Sequence, residues 1–484
     1  MDGEVVTISG FLVQALATLF IANITILTGY VFAWPSYNVA NFVSNTTILS
    51  APMSSVEVSL LGSLANIGAL LATPLCTYLL NSLGRKYTCM LFGLPYVFCW
   101  IIITYTKSVT VVIAAMGLAG MGAAGQAASS VYISEIAQDA IRGALTSSVV
   151  SGLFLGLLLS YSWGGYLSYE QVVYVHLTLS ILYILLVGLL KESPVFLMKS
   201  GKEKEAARSL AFYRRVSVTS KEVEVALAKI KLQLDPALET RLEGGKDPGV
   251  TDALVEGKAE EKRAVSEWQF LKNSQSSKRG LKVAIIVMAY TVLMGVIVMQ
   301  VYAEPLFKEA VPSMESNQCS IILAIVFIIA SLLCGVLVDK LGRKYLMIGT
   351  TFAAGVCILL LGTQLQFHWA PNYVSAIFIY GFCFFYNLGP APIPFVIAAE
   401  FFLPEVRGLC SNLVNACAWI MNFITLTIFS IMVEVFGLAP LFYIFAASSA
   451  FGGVYCLFYL PETKGLSVDA IQLLFIKERR RDAK

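Results

Sequence analysis

Twelve apolar runs leave this chain few ways to fold, because about 20 helical residues are what it takes to cross the hydrocarbon core of a bilayer. The runs lie at roughly 10–32, 57–80, 88–106, 109–133, 144–167 and 171–190, and again at roughly 281–303, 319–338, 345–366, 374–398, 409–433 and 438–460. In lipid each backbone polar group must be satisfied within its own helix or within a closed barrel. Helix-length runs therefore predict an all-α membrane protein with twelve transmembrane helices, in two bundles of six. Composition agrees: hydrophobic residues are 57% of the 484, charged residues 13%, and mean hydropathy is +0.75, whereas soluble domains hold roughly 45–50% apolar residues.

The basic residues orient the chain. Taking alternate loops as cytosolic leaves only Lys107 and Lys308, of 34 Lys and Arg, on the other side. The positive-inside rule thus predicts that both termini face the cytosol. A net charge of +3 gives no reason to expect a nucleic-acid partner, so the expected surroundings are lipid bilayer. Residues 1–9 carry no Lys or Arg and no small-residue cleavage site follows, so the first span is expected to be retained rather than removed as a signal peptide. The ten cysteines are dispersed, with no disulfide framework, no metal-ligand spacing and no nucleotide-binding loop, so no metal or other cofactor is expected. The two histidines, His176 and His368, have no nucleophile beside them in the sequence, which argues against an enzyme. Asn45-Thr46-Thr47 is a glycosylation sequon in the first outer loop, whereas Asn23-Ile24-Thr25 repeats the pattern inside a span, out of reach of modification.

Four regions follow: a bundle over 1–190, a cytosolic loop over 191–280, a second bundle over 281–460 and a cytosolic tail over 461–484. Within the loop, KEKEAARSLAFYRR and SKEVEVALAKIKLQL place apolar residues at helical spacing among charges, as in short amphipathic helices. Leu242 to Lys258, rich in Gly, Asp and Glu, is expected to be a flexible link. The basic end, Lys477 to Lys484, is suited to contact with anionic lipid.

Three motif pairs recur in the same order about 260 to 270 residues apart. Gly84-Arg85-Lys86 is answered by Gly342-Arg343-Lys344, Glu135 with Arg142 by Glu400 with Arg407, and Glu192-Ser193-Pro194 by Pro461-Glu462-Thr463. One unit of half the chain has been duplicated, a plan that in membrane carriers puts the binding site between the repeats. Seven residues are about two helical turns, so Glu135 and Arg142, and likewise Glu400 and Arg407, share one face if the chain stays helical between them. In span 10, GPAPIPF carries Pro390, Pro392 and Pro394, which cannot donate backbone hydrogen bonds. A helix broken at membrane depth lies against protein or a wet cavity, so span 10 is expected either to line a solute path or to form a structural kink.

Over nearly its whole length the chain resembles the sugar porter family of the major facilitator superfamily. The resemblance rests on the paired GRK turns, the paired Glu-to-Arg spacings, KESPVFL after span 6, GPAPIPF, and LPETKGLS after span 12. Its flavour is similar to facilitative hexose carriers and insect facilitated trehalose transporters, by YVFAWPS and PETKGLSVDAIQ. The resemblance implies a monomeric carrier, in the plasma membrane, of a small sugar-like molecule such as a hexose or disaccharide. It also implies a cytosolic gate formed by Arg85, Glu135, Arg142, Glu192, Asp339, Arg343, Glu400, Arg407 and Glu462. Two positions depart from the family's gate: Asn81 stands where an Asp is usual and Val195 where an Arg is usual, leaving the N-terminal half poorer in charge.

For the substrate, the resemblance places Phe395 at a sugar-stacking aromatic, Asn387 one turn away, and Trp419 with Asn422 at a Trp-x-x-Asn pair. Elsewhere Val150, Thr291, Val292, Ile297 and Phe327 replace family amides. At about 1 kcal/mol net per hydrogen bond, four lost bonds weaken a hexose by around a thousandfold. Ser151, Tyr290, Thr291 and Gln300, with Ser147, Gln126 and Tyr132, are candidate replacements that can equally serve helix packing. Span 1 holds no carboxylate, so the family's proton-linked Asp is absent, and Ala115 stands where its partner Arg in span 4 would be; uniport is therefore expected rather than proton symport. Two alternatives stand beside a sugar uniporter: a carrier of the same fold for another small neutral metabolite, and a sugar sensor without flux.

Overall fold

A computed structural model describes residues 6–234, 267–466 and 468–477. The expected link at 242–258 and most of the basic end at 477–484 lie outside the described residues. Among the described residues, eleven helices are long and apolar enough to cross a membrane: Ile8–Phe42, Ser55–Ser82, Arg85–Tyr105, Val109–Ile136, Asp139–Tyr166, Tyr169–Gly188, Ser316–Leu341, Arg343–Phe367, Tyr373–Glu400, Val406–Phe436 and Leu438–Tyr459. The remaining span, the seventh, is the correction to the sequence reading. It is not one helix but three, Gln275–Leu293, Val296–Val301 and Ala303–Ala310. Gly295 breaks it with φ +85°, a left-handed conformation that glycine adopts without the steric cost other residues meet. A Cβ there would lie 2.4 Å from the Phe445 ring. With span 7 assembled from its pieces, the molecule is the twelve-helix arrangement of two six-helix bundles.

Helix ends follow local chemistry. Ser54 and Glu57 form a capping box at the start of span 2, and Ser168 and Gln171 do so at span 6, each satisfying two N–H groups the helix leaves unpaired. Span 10 is interrupted between Tyr373–Leu388 and Ile393–Glu400, at the prolines, as expected of residues that cannot donate to the preceding turn.

In the first half span 1 packs on span 5, span 2 on span 4, and span 3 on spans 4 and 6; in the second, span 9 packs on spans 10 and 12, span 8 on span 10, and span 7 on span 11. The halves meet where span 2 lies against span 11 and span 5 against span 8, with span 1 against the broken part of span 7. The repeat maps span 2 onto span 8 and span 5 onto span 11, so the two main contacts are copies of each other. Helices Glu203–Arg214 and Lys221–Leu234 occur where the amphipathic patterns predict, and bury Leu210, Val223 and Ile230 between them. They belong to the first half: the Tyr213 hydroxyl donates to the Lys191 carbonyl (2.6 Å) and Gln14 donates to the Tyr213 carbonyl (3.3 Å). Helices Glu267–Asn273 and Val468–Lys477 pack on the second half.

Candidate gate and substrate path

The face bearing the GRK turns, here the basic face, carries the same construction twice. Gly84 and Gly342 start spans 3 and 9 at φ +97° and +87°, and a Cβ on either would lie 2.5 Å from a carboxylate oxygen of Glu192 or Glu462. Those carboxylates sit over the helix starts. Glu192 accepts from the backbone N–H groups of Arg85 (2.9 Å), Lys86 (3.1 Å) and Ser193 (2.8 Å). Glu462 accepts from those of Arg343 (3.0 Å), Lys344 (3.1 Å) and Thr463 (2.9 Å). A helix start leaves its first N–H groups unpaired and is partly positive, which favours an anion at that place.

The motif arginines then reach the span 4 and span 10 acids. Arg85 clamps Glu135 with Nε to Oε2 and Nη2 to Oε1, both 2.8 Å, a bidentate charge-assisted pair. Arg343 donates through Nε (3.2 Å) and Nη2 (2.9 Å) to Oε1 of Glu400, and through Nη1 to Asp339 (3.2 Å). The Ser193 and Thr463 hydroxyls complete these acids, and Lys86 and Lys344 tether the Gly188 and Leu457 carbonyls. Ser193 and Thr463 had no role in the sequence reading, although their equivalent places in the repeated motifs were a usable signal.

Arg142 and Arg407 do not pair with Glu135 and Glu400. The chain leaves the helix after Ile136, with Ala137 and Gln138 extended, and again before Pro404, where Leu403 is non-helical with ψ 149°. The condition of helical continuity is therefore unmet. Arg142 instead pairs with Asp139 (2.5 Å) and donates to the Ala137 carbonyl (3.4 Å), while Arg407 donates to the Phe402 carbonyl (3.3 Å). Among the described residues, every ion pair on this face lies within one half and none joins the halves. Asn81 donates to the Thr77 carbonyl one turn back (3.3 Å), so the first half lacks the third partner that Asp339 supplies in the second.

On the opposite face the halves are fastened together. Tyr302, at the second break in span 7, donates to the Val58 carbonyl (3.1 Å) and stacks on Phe429 with centroids 5.5 Å apart. The Glu304 N–H donates to Ser36 Oγ (2.9 Å), Thr427 meets Ser63 (2.9 Å), and Tyr161 donates to the Gln300 carbonyl. Deeper in the membrane Phe154 of span 5 packs on Phe327 of span 8, centroids 5.2 Å apart, and both rings are buried. Sequence reasoning missed Tyr161 and Tyr302, since a tyrosine donating to a distant carbonyl leaves no local pattern.

The candidate substrate residues fall into two groups. Ser151, Gln300, Trp419 and Asn422 make no side-chain hydrogen bond among the described residues, so their polar atoms are unused, and Phe395 keeps half of its surface uncovered. Tyr290, Thr291 and Asn387 are buried and already engaged: Tyr290 with Cys456 Sγ (3.1 Å), Thr291 with the Met288 carbonyl (2.8 Å), Asn387 with the Cys383 carbonyl (2.9 Å). The Tyr290 ring also lies on Gly452 of span 12, away from the other half. Asn45 is exposed in the loop between spans 1 and 2.

Comparison with known proteins places the chain among membrane transporters. The chain is 25% identical over 480 residues to the facilitated trehalose transporter Tret1 of Polypedilum vanderplanki, covering 97% of this chain and 89% of that protein. It is 24% identical over 481 residues to the protein of the same name from Drosophila mojavensis, and again to that from Aedes aegypti, spanning 52% and 56% of their lengths. The chain thus spans only about half of these longer relatives. Among solved structures it resembles the inward open conformation of the xylose transporter XylE from E. coli, with TM-score 0.73, 20% identity and coverage of 94% of this chain and 98% of that one. A structure of the proton:xylose symporter XylE bound to 6-bromo-6-deoxy-D-glucose follows at TM-score 0.69 and 20% identity, covering 96% and 99%. A family model described as "Sugar (and other) transporter" matches residues 5–475, and this chain, an integral multi-pass membrane protein, belongs to that family.

Proposed function

We propose that the protein carries a small sugar-like solute, a hexose or a disaccharide such as trehalose, downhill across the plasma membrane by alternating access. It works as a monomer, with the basic face and both termini in the cytosol and Asn45 glycosylated outside. The observation that carries this reading is the asymmetry of contacts between the halves. They are fastened on one face by Tyr302, Tyr161 and Glu304 and, among the described residues, free of ion pairs between them on the other, as in a carrier open to the cytosol. In the opposite state the seal on the outer face parts, and Arg85, Glu135, Arg142, Arg343, Glu400 and Arg407, with Glu192, Glu462 and Asp339 behind them, meet across the cytosolic cleft. Uniport is supported by span 1, which has no Asp, Glu, Lys, Arg or His from Ile8 to Phe42.

Ser151, Gln300, Trp419 and Asn422, with unused polar atoms, and the uncovered Phe395 form the preferred substrate contacts. Tyr290, Thr291 and Asn387 act behind them. A second reading, a carrier for a less polar neutral metabolite, is favoured by the buried Phe154–Phe327 pair, which sets an apolar ring where the family resemblance places an amide. Purified protein in vesicles, offered labelled glucose, fructose, trehalose, polyols and non-sugar solutes, tests both. Saturable uptake of a sugar without a proton current is expected. Uptake confined to non-sugar solutes would replace the first reading with the second, and a substrate-dependent proton current would overturn uniport.

A further inference from the structure

The start of span 7 turns one stripe outward. Lys278, Leu281, Lys282, Ile285 and Ile286 follow one another at helical spacing on a single face, and helix Glu267–Asn273 lies beside them. Its Trp268, Leu271 and Lys272 close the other wall of a groove of about 530 Å³. Three features of this groove point to one kind of occupant.

Its rim is cationic. Lys272, Lys278 and Lys282 are exposed, none is ion-paired among the described residues, and no acid is among the lining residues. Its floor is apolar, made by Leu271, Leu281, Ile285 and Ile286. From Lys278 to Ile286 the helix descends about 12 Å at 1.5 Å per residue, so the stripe runs from charge to hydrocarbon over roughly the depth of an upper acyl chain. Trp268 is 53% exposed at the same rim, the level at which amphipathic rings settle beside lipid headgroups. A free anion has no use for the floor, and a zwitterionic lipid, whose phosphate charge is cancelled by its own ammonium, gains less from three lysines than an anionic lipid does.

We propose that this groove is a binding site for an anionic phospholipid, its headgroup held by Lys272, Lys278 and Lys282 and one acyl chain laid along Leu281, Ile285 and Ile286. Each lysine near an anionic membrane surface contributes roughly fivefold in affinity, so three give about a hundredfold preference over a neutral lipid. The site requires only that the chain be embedded in a bilayer, not that it carry a sugar.

The test uses the full chain in nanodiscs, with acyl-brominated phosphatidylserine or phosphatidylcholine as quenchers and Trp268→Phe subtracted to isolate Trp268 fluorescence. Quenching by the brominated phosphatidylserine at a mole fraction at least tenfold lower than by the phosphatidylcholine is expected. Replacing all three lysines by Gln should erase that difference. Because these side chains are exposed, the variant is expected to melt as the parent does; if it does not, Lys278→Gln alone should reduce the preference about fivefold. Equal quenching by the two lipids, an undiminished preference in the Gln variants, or displacement of the lipid by inorganic phosphate would each overturn the assignment.

Discussion

Arg85 and Arg343 occupy equivalent places but differ in surroundings, and the difference has a measurable sign. The Arg85 and Glu135 side chains are 8% and 13% exposed, those of Arg343 and Glu400 15% and 27%, and Asp339 is 75% exposed. Removing one partner of a buried pair leaves an uncompensated charge, whereas solvent screens an exposed one. Arg85→Ala should therefore cost about 3 kcal/mol and Arg343→Ala roughly 1–2 kcal/mol, read as the larger fall in melting temperature for Arg85→Ala in detergent. The first half, poorer in charge at Asn81, thus has the tighter pair, which residue types alone do not reveal. Burial raises the Glu192 carboxyl above its ordinary 4.5, against the opposing pull of the Ser193, Lys86 and Arg85 N–H groups and the Arg85 charge. The folded protein therefore holds that proton more tightly than the unfolded chain does. Its contribution to stability is fullest below about pH 4.5 and declines as pH rises through the raised value. Glu192→Gln should accordingly lose less thermal stability than the parent between pH 4.5 and 7, and identical pH slopes would contradict the burial argument. In the path, Phe327→Asn restores one amide at about 1 kcal/mol. It should raise hexose affinity about fivefold in vesicle uptake if Phe327 borders the solute.

At the scale of elements, what could be read in advance depended on whether a break carries a chemical marker. Pro390, Pro392 and Pro394 announce the interruption of span 10, because a missing N–H is written in the residue type. Gly295 announces nothing, since a lone glycine in an apolar run is compatible with a continuous helix, and its left-handed φ arises with the Phe445 ring packed against it. The same blindness affected Glu135 and Arg142. Ala137 and Gln138 contain no breaker, so the residue types left open whether the helix continues from Glu135 to Arg142, and it does not. The partner of Glu135 came from span 3, 50 residues earlier, through packing that local spacing does not encode. The apolar runs, by contrast, located all twelve spans, because burying a backbone in lipid leaves helices as the solution for segments of that length. Gly295→Ala tests the role of the span 7 break. A non-glycine residue held at positive φ costs about 1–3 kcal/mol, beyond the clash with Phe445. Uptake is expected to fall at least tenfold while helical content by circular dichroism is retained, and unaltered uptake would mean that the break is not used in transport.

The whole molecule is a pair of bundles whose mutual contacts are lopsided, although the bundles themselves are near copies. Duplicated motifs made that symmetry legible. They did not say which face would be fastened, because both arrangements use the same residues, and carriers of this kind need the two within a few kcal/mol of each other. Nor could the sequence sort the candidate solute contacts, since Tyr290 and Asn422 are both polar residues in apolar spans and only packing separates the engaged hydroxyl from the unused amide. The most direct test is electron–electron distance measurement between spin labels at Ser82→Cys and Lys340→Cys on the basic face, and in a second protein at Tyr105→Cys and Phe367→Cys on the other. Both would be made with the half-buried Cys357 and Cys417 changed to Ser. Two populations are expected in each pair, with opposite responses to a transported solute: when the basic-face distance shortens, the opposite-face distance lengthens. A single unchanging distance on both faces, or changes of the same sign on both, would contradict alternating access.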